Sequence, residues 1–203
     1  AENPLLLVVS NPADIITKAV QETSGLPANR VIGTGTSLDT ARFRYNISTK
    51  LHVNVEDIQA YVVGEHGDSQ VAVWSSAMVG GFPLEDYAKQ VGVTLDKKEI
   101  AEHTKNGGAE VIGLKGATFY GIAMSVSNIV EAIMKDDSAI LPAACVLDES
   151  FGEWAGVAVS LPCRIGWEGI ETCLRIPMNE EEQAAMNKSV AILKDFWAQV
   201  KEQ

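Results

Sequence analysis

A single β-α-β pattern opens the chain, and it constrains the possible fold more than any other feature of the sequence. Residues 4–10 form a continuous apolar run, which is typical of a strand buried in a parallel sheet. Apolar residues then recur at helical spacing over residues 15–20, and a second strand begins at residues 30–32. A doubly wound sheet needs several such units. Residues 1–33 are therefore predicted to be the end of a larger α/β domain.

The rest of the chain has a different pattern. Helices are predicted over residues 38–51, 84–91, 95–105 and 116–134, with Gly107-Gly108 ending the third. Residues 116–134 are apolar on more than one face, which predicts burial on both sides. The predicted strands are residues 58–63, 70–74, 140–147, 157–162 and 170–176, the last three as an antiparallel meander. Asn179 should cap a terminal helix. This pattern predicts an α+β unit with antiparallel strands and a C-terminal helix.

Composition excludes several function classes. The chain has 16 basic and 27 acidic residues, for a net charge of −11, and no stripe of Lys or Arg that would bind nucleic acid. No apolar run reaches the roughly 20 residues of a membrane span. A cytoplasmic protein that binds neither nucleic acid nor membrane is predicted. An acidic protein that binds an anionic substrate must concentrate positive charge locally. An arginine beside candidate catalytic residues therefore indicates where such a substrate could bind.

The three cysteines give no sign of a cross-link or a metal site. Cys145, Cys163 and Cys173 are an odd number, widely spaced, and form no C-x-x-C pair. Reduced, mostly buried thiols are the expectation, and no metal ligands are predicted.

His66 is the strongest catalytic candidate. It lies between Gly64 and Gly67, directly after the predicted strand 58–63. The glycines allow the backbone to approach a ligand closely. Imidazole titrates near neutral pH, so it can both donate and accept a proton.

Asp39 and Arg42 lie three positions apart and share one face of a predicted helix. They could form a surface ion pair worth at most about 1 kcal/mol. Alternatively, Asp39 could orient His66 and raise its pKa, while Arg42 binds a carboxylate through two parallel hydrogen bonds. Asn11 follows the first strand, where ligands bind in open α/β sheets, although Asn11-Pro12 could equally form an Asx turn.

Four runs resemble, in order and spacing, the L-lactate/malate dehydrogenase family: residues 9–12, 31–42, 64–68 and 114–118. The resemblance extends across the whole chain. It implies that residues 1–33 end a Rossmann-type nucleotide-binding domain and that residues 34–203 form the substrate domain. Helix 116–134 would pack back on the nucleotide domain.

The resemblance also implies a role for each matching residue. His66 would be the proton donor and acceptor and Asp39 its partner, in the transfer of a hydride between NAD and a 2-keto or 2-hydroxy acid. The remaining site residues would bind substrate or cofactor. Arg42, Asn11 and Thr118 would contact the substrate, and Val9, Asn11 and Thr34 the cofactor.

Glu65 and the pair Trp74-Ser75 resemble the bacterial L-lactate dehydrogenase branch, which implies pyruvate as substrate and a homotetramer. L-2-hydroxyisocaproate and malate dehydrogenases remain alternatives. Bacterial members activated by fructose 1,6-bisphosphate usually have an arginine where Arg44 stands and a histidine where Gln59 stands. Weak or no activation is therefore expected.

The chain lacks other parts of the family pattern. The glycine fingerprint that binds the pyrophosphate has no counterpart here, nor does the mobile loop whose arginine polarises the substrate carbonyl. The expectation is a C-terminal piece that is inactive alone. An alternative from another function class is that the piece acts only as an oligomerisation module.

Overall fold

The computed structural model describes residues 4–201, so residues 1–3 of the predicted first unit lie outside the described part. Eight strands form two sheets: β1 Leu6–Val8, β2 Val31–Gly33, β3 Ile58–Val63, β4 Val71–Val79, β5 Phe82–Pro83, β6 Ala139–Val146, β7 Ala158–Gly166 and β8 Gly169–Cys173. Six α-helices pack on them: α1 Ala13–Ser24, α2 Ser37–Leu51, α3 Leu84–Gln90, α4 Lys97–Lys115, α5 Tyr120–Lys135 and α6 Glu180–Lys201.

The larger sheet joins the opening β-α-β unit to the predicted meander. Its strand order is β1-β2-β6-β7-β8, with β1 and β2 parallel and every other pairing antiparallel. Gly33, the last residue of β2, pairs with Ala144 of β6. The predicted α/β start and the antiparallel strands are confirmed. The domain boundary at residues 33–34 stays a prediction.

The smaller sheet, in the order β3-β4-β5, carries a separate apolar core against α2. Phe43 and Ile47 of α2 are completely buried there. The Phe43 ring meets the Trp74 ring of β4 edge-on, with centroids 4.7 Å apart. Aromatic pairs favour this geometry because the positive ring edge meets the negative face. The packing fixes α2 relative to β3 and β4.

Asn179 caps α6, as the sequence predicts: the Glu182 N–H donates to Asn179 Oδ1 at 2.9 Å. The Glu182 carboxylate in turn accepts the backbone N–H groups of Trp74 at 2.8 Å and Ser75 at 3.0 Å. These bonds attach the start of α6 to β4. Burial raises the pKa of Glu182, but the bonds from Ser75, Asn179 and Trp74 outweigh it and lower the pKa below its usual range.

The prediction that Gly107-Gly108 ends the third helix is wrong, because α4 continues through both glycines to Lys115. Each glycine costs about 1 kcal/mol relative to alanine inside a helix. Packing overrides this local preference. A Cβ at Gly107 would lie 3.1 Å from Cδ of Arg42, so the glycine lets the arginine lie close against α4.

Within residues 4–201, the helix predicted over residues 116–134 begins later and is buried on one side only. The helix begins at Tyr120, and only Ser125, Ile129 and Ala132 are buried. Tyr120 is 81% exposed. One face packs on α2 and β7, and within residues 4–201 no second layer covers the other.

None of the described helices has the length and apolar character to cross a membrane.

Candidate active site

The seven predicted site residues line one open cavity of about 550 Å³. Its walls come from the ends of β1 and β2, the start of α2, the loop after β3 and the middle of α4. The seven are Val9, Asn11, Thr34, Asp39, Arg42, His66 and Thr118. Residues separated by up to 109 positions in the chain therefore share one solvent-accessible space.

A short hydrogen bond joins His66 to Asp39. His66 Nδ1 lies 2.6 Å from Asp39 Oδ2, and the Asp39 side chain is only 3% exposed while the imidazole is 26% exposed. The carboxylate fixes the ring orientation and favours a proton on Nδ1. Nε2 is then the nitrogen that can exchange a proton with a ligand.

The Asp39 bond also changes the charge of His66. It raises the pKa of the imidazole, burial opposes this by lowering it, and the Asp39 charge raises it further. The Asp14 charge adds to the increase and the Arg42 charge reduces it. The net direction is upward, so His66 keeps its proton to higher pH than an ordinary histidine does.

Two threonines anchor the start of α2 to β3, and this fixes Asp39. Thr36 Oγ1 donates to the Val62 carbonyl at 2.6 Å, and the Val62 N–H donates to Thr40 Oγ1 at 3.0 Å. Both threonines are buried. Since Asp39 lies between them in the first turn of α2, its position relative to β3 is set by these bonds.

Hydrogen bonds to the residues that precede His66 fix the loop that carries it. Gly64 and Ser160 of β7 exchange backbone hydrogen bonds of 3.0 and 3.1 Å, and the Glu65 N–H donates to Ser189 Oγ of α6 at 2.8 Å. Gly64 has φ +87°, and a Cβ there would lie 2.8 Å from Ser189 Oγ. Both the left-handed backbone conformation of Gly64 and the close approach of α6 require glycine at this position.

Asp14 is a contact of His66 that the sequence analysis missed. It lies in the first turn of α1, where an acid is expected simply to complement the helix dipole. Its Oδ2 instead accepts the His66 backbone N–H at 2.7 Å. Within residues 4–201 its Oδ1 has no hydrogen-bond partner. Burial raises the pKa of this carboxyl to about 7, although the His66 N–H opposes the shift. The local sequence contains no signal for this contact.

Arg42 lies one helical turn after Asp39 and faces the same cavity. Its Nη1 is 3.4 Å from Asp39 Oδ1, and its side chain is 20% exposed. This distance is too long for a strong charge-assisted hydrogen bond, which measures about 2.7–2.9 Å. The guanidinium therefore keeps donors for a ligand, and Gly107 and Gly108 of α4 leave space beside it.

The carboxyl ends of the two parallel strands supply the other side of the cavity. Val9 and Asn11 follow β1, Thr34 follows β2, and the Thr34 N–H donates to the Val8 carbonyl at 2.9 Å. Ligands bind at this edge in open α/β sheets. Thr118 approaches from the turn between α4 and α5. The cavity thus combines a proton carrier, a cation and a strand edge suited to a dinucleotide.

Comparison with known proteins identifies the family of the chain. The sequence pattern of the lactate/malate dehydrogenase α/β C-terminal domain matches residues 36–203. The chain belongs to the lactate/malate dehydrogenase family.

Curated members of the family align along nearly the whole chain. The L-lactate dehydrogenase of Acetivibrio thermocellus is 42% identical over 195 residues, covering 95% of this chain and 61% of that relative. The L-lactate dehydrogenase of Nitratidesulfovibrio vulgaris is 41% identical over 201 residues, covering 98% and 65%. The chain therefore spans less than two thirds of the length of these relatives.

Solved structures of family members share the fold. A minor L-lactate dehydrogenase from Enterococcus mundtii, in a ligand-bound form, superposes with a TM-score of 0.91 at 38% identity and covers 97% of this chain and 63% of that one. An L-lactate dehydrogenase from Clostridium thermocellum gives a TM-score of 0.87 at 42% identity, covering 97% and 65%.

Replacing Asp14 by asparagine should remove a pH dependence of stability. A carboxyl whose pKa is about 7 in the fold and 3.8 in the unfolded chain stabilises the fold below pH 4, and this is lost as pH rises through 7. About three pKa units correspond to at most about 4 kcal/mol. We expect Asp14→Asn to exceed the parent in free energy of unfolding at pH 7–8, with the difference shrinking toward pH 4.

Urea unfolding of both chains between pH 4 and pH 8 measures this difference. Asp86→Asn, at an exposed position in the first turn of α3, is the matched control and should follow the parent. An Asp14→Asn chain that follows the parent's pH dependence would show that Asp14 titrates normally.

Proposed function

We propose that this chain carries the proton-transfer and substrate-binding part of an NAD-dependent L-lactate dehydrogenase, which interconverts pyruvate and L-lactate. The observation that supports it best is the His66–Asp39 pair beside Arg42 in one open cavity. A 2-keto acid presents a carboxylate next to a carbonyl. This cavity places a guanidinium beside an imidazole that can donate a proton.

Each side chain has a distinct part in this reaction. The Arg42 guanidinium binds the substrate carboxylate through two parallel hydrogen bonds. Protonated His66 donates the Nε2 proton to the carbonyl oxygen as it becomes a hydroxyl. Asp39 stabilises the imidazolium before the transfer and keeps the ring oriented throughout. In the reverse direction neutral His66 accepts the hydroxyl proton.

Three residues fit the nicotinamide end of the cofactor. Val9, Asn11 and Thr34 line the same cavity as His66 at the carboxyl edge of the parallel strands. When bound there, NADH supplies the hydride for the carbonyl carbon. The pyrophosphate and adenosine would be bound by a preceding segment that carries the glycine fingerprint.

The relatives favour lactate over the alternative substrates. Eight curated relatives at 39–42% identity are named L-lactate dehydrogenases. L-2-hydroxyisocaproate and malate dehydrogenase activity remain alternatives, since the substrate-discriminating loop has no counterpart in this chain.

Arg44 donates from Nε to the Ala60 carbonyl at 2.8 Å and lies over the Tyr61 ring. We expect little activation by fructose 1,6-bisphosphate, because Gln59 stands in place of the histidine.

The exposed face of α5 fits the same proposal. Tyr120, Met124 and Met134 are each more than 60% exposed, although they are large and apolar. An exposed apolar face of this kind marks an interface. The nucleotide-binding domain would cover it, and the assembled protein would be a cytoplasmic homotetramer. An oligomerisation module without activity is the rival explanation of the same surface.

The activity experiment joins this chain to a cofactor-binding segment. The part of the Acetivibrio thermocellus relative that this chain does not match is fused before Ala1, and NADH oxidation is followed with pyruvate, oxaloacetate and 4-methyl-2-oxopentanoate. We expect the highest kcat/KM with pyruvate and no turnover by the 203-residue chain alone. His66→Asn should lower kcat by about 10²–10⁴-fold.

His103→Asn is the matched control, because His103 is exposed on α4 and pairs with Glu99 and Glu110 away from the imidazole of His66. Its kcat should match that of the unmodified fusion. A folded fusion that reduces none of the three keto acids would contradict the proposal and favour the oligomerisation module.

Asp39→Asn should lower the pKa of His66, because the amide weakens the hydrogen bond to Nδ1 and removes the charge that favours the imidazolium. Pyruvate reduction needs protonated His66, so activity falls as pH rises through this pKa. The variant should lose activity at lower pH than the parent fusion.

NMR titration of the His66 imidazole in the 203-residue chain measures the pKa independently of turnover. Asp68→Asn is the control, since Asp68 lies in the same loop but pairs with Lys105 at 3.0 Å. An unchanged His66 titration in Asp39→Asn would remove Asp39 from its role.

Gly107→Ala should impair substrate binding through Arg42. The new methyl group would lie 3.1 Å from Arg42 Cδ and 3.2 Å from Nε, so the Arg42 side chain must shift by a few tenths of an ångström. We expect about a tenfold loss of kcat/KM for pyruvate, mainly through KM. Gly113→Ala in the same helix meets nothing within 4 Å and should leave KM unchanged. Equal KM values in the two variants would contradict the role given to Gly107.

A further inference from the structure

Three thiols from three neighbouring strands converge outside the candidate active site. Cys145 belongs to β6, Cys163 to β7 and Cys173 to β8. Cys163 and Cys173 lie opposite each other in the strand register. Their Sγ atoms are 3.6 Å apart, Cys145 Sγ lies 2.8 Å from Cys173 Sγ, and all three sulfurs lie within 4.8 Å of one another.

These separations approach those of a metal-thiolate site. Zinc–sulfur bonds of about 2.3 Å in tetrahedral geometry place two sulfurs about 3.8 Å apart. The Cys163–Cys173 separation already agrees, and Cys145 needs to move about 1 Å from Cys173. Within the described chain, this is the one cluster of three or more His, Cys, Asp or Glu ligand atoms close enough to hold a metal ion.

An ion can reach two of the three sulfurs from solvent. Cys145 and Cys163 are buried, but Cys173 is half-buried and, with Cys145, lines an open cavity of about 300 Å³. The charged residues that line this cavity are two acids, Asp148 and Glu171. Glu171 forms an ion pair with Arg164 at 2.6 Å. The charge of Asp148 attracts cations and disfavours anionic ligands. The cavity also leaves room for a water molecule as a fourth ligand.

We propose that Cys145, Cys163 and Cys173 form a three-thiolate site for a soft divalent metal ion of the zinc class, with the fourth position open to the cavity. Thiolates select soft ions over magnesium or calcium, which prefer oxygen ligands. A divalent ion compensates more of the negative charge of three thiolates and the nearby Asp148 than a monovalent ion does. Each thiol releases its proton to solvent as it binds, and no electron transfer takes place.

The test uses cadmium(II) as a spectroscopic probe on the fully reduced, chelator-treated 203-residue chain. We expect a thiolate-to-metal charge-transfer band that saturates at one ion per chain, and its displacement by zinc(II) but not by magnesium(II). Alkylation of the folded chain followed by mass spectrometry should modify the half-buried Cys173 without metal and find it protected with metal. This readout does not depend on any variant.

Cys173→Ser tests the ligand set directly, because its half-buried position tolerates the change best. We expect the cadmium affinity to fall by at least about 100-fold, since even supporting contacts of metal ligands are worth 10–100-fold. Ser150→Ala, on the wall of the same cavity, should bind as the parent does. No saturable uptake by the reduced chain, or unchanged uptake in a folded Cys173→Ser chain, would overturn the proposal.

Discussion

The 2.6 Å hydrogen bond between His66 and Asp39 is the interaction on which the rest of the site depends. It joins the start of α2 to the loop after β3, and both ends are held by unrelated parts of the chain. Buried threonines attach α2 to β3, while Ser160 and Ser189 hold the residues that precede His66. Preorganisation of this kind orients the imidazole before any ligand arrives.

Few buried negative charges surround this bond. Asp39 faces both the imidazole and the guanidinium, so one buried carboxylate stabilises two cationic groups. Asp14, a second buried acid beside His66, has a pKa near 7, so near or below neutral pH much of it is protonated. A second buried full charge is thereby avoided at low pH, which matters because uncompensated buried charges are costly. In a chain with net charge −11, Arg42 places a positive charge on the wall of this cavity.

Two departures from local sequence rules have a tertiary cause. Gly107 and Gly108 interrupt a good helical sequence, yet α4 continues because its packing against α2 outweighs their preference, and their missing side chains make room for Arg42. The apolar outer face of α5 indicates burial by composition, yet it is exposed in a chain that spans less than two thirds of its relatives. Periodicity reports that a face is apolar, and only the assembled layers decide what covers it.

The sequence by itself determined the local elements and the principal chemical groups. Alternation and apolar runs predict the strands, Asn179 predicts the cap of α6, and the spacing of Asp39 and Arg42 places both on one helical face. Only the tertiary structure decided which distant groups meet: Asp14 with the His66 backbone, and the thiols of Cys145, Cys163 and Cys173 with one another. The physical reason is that periodicity is a local property, whereas contacts between strands depend on strand order and register. A carboxylate in the first turn of α1 or a cysteine in a strand has the same local sequence whether or not it has such a partner.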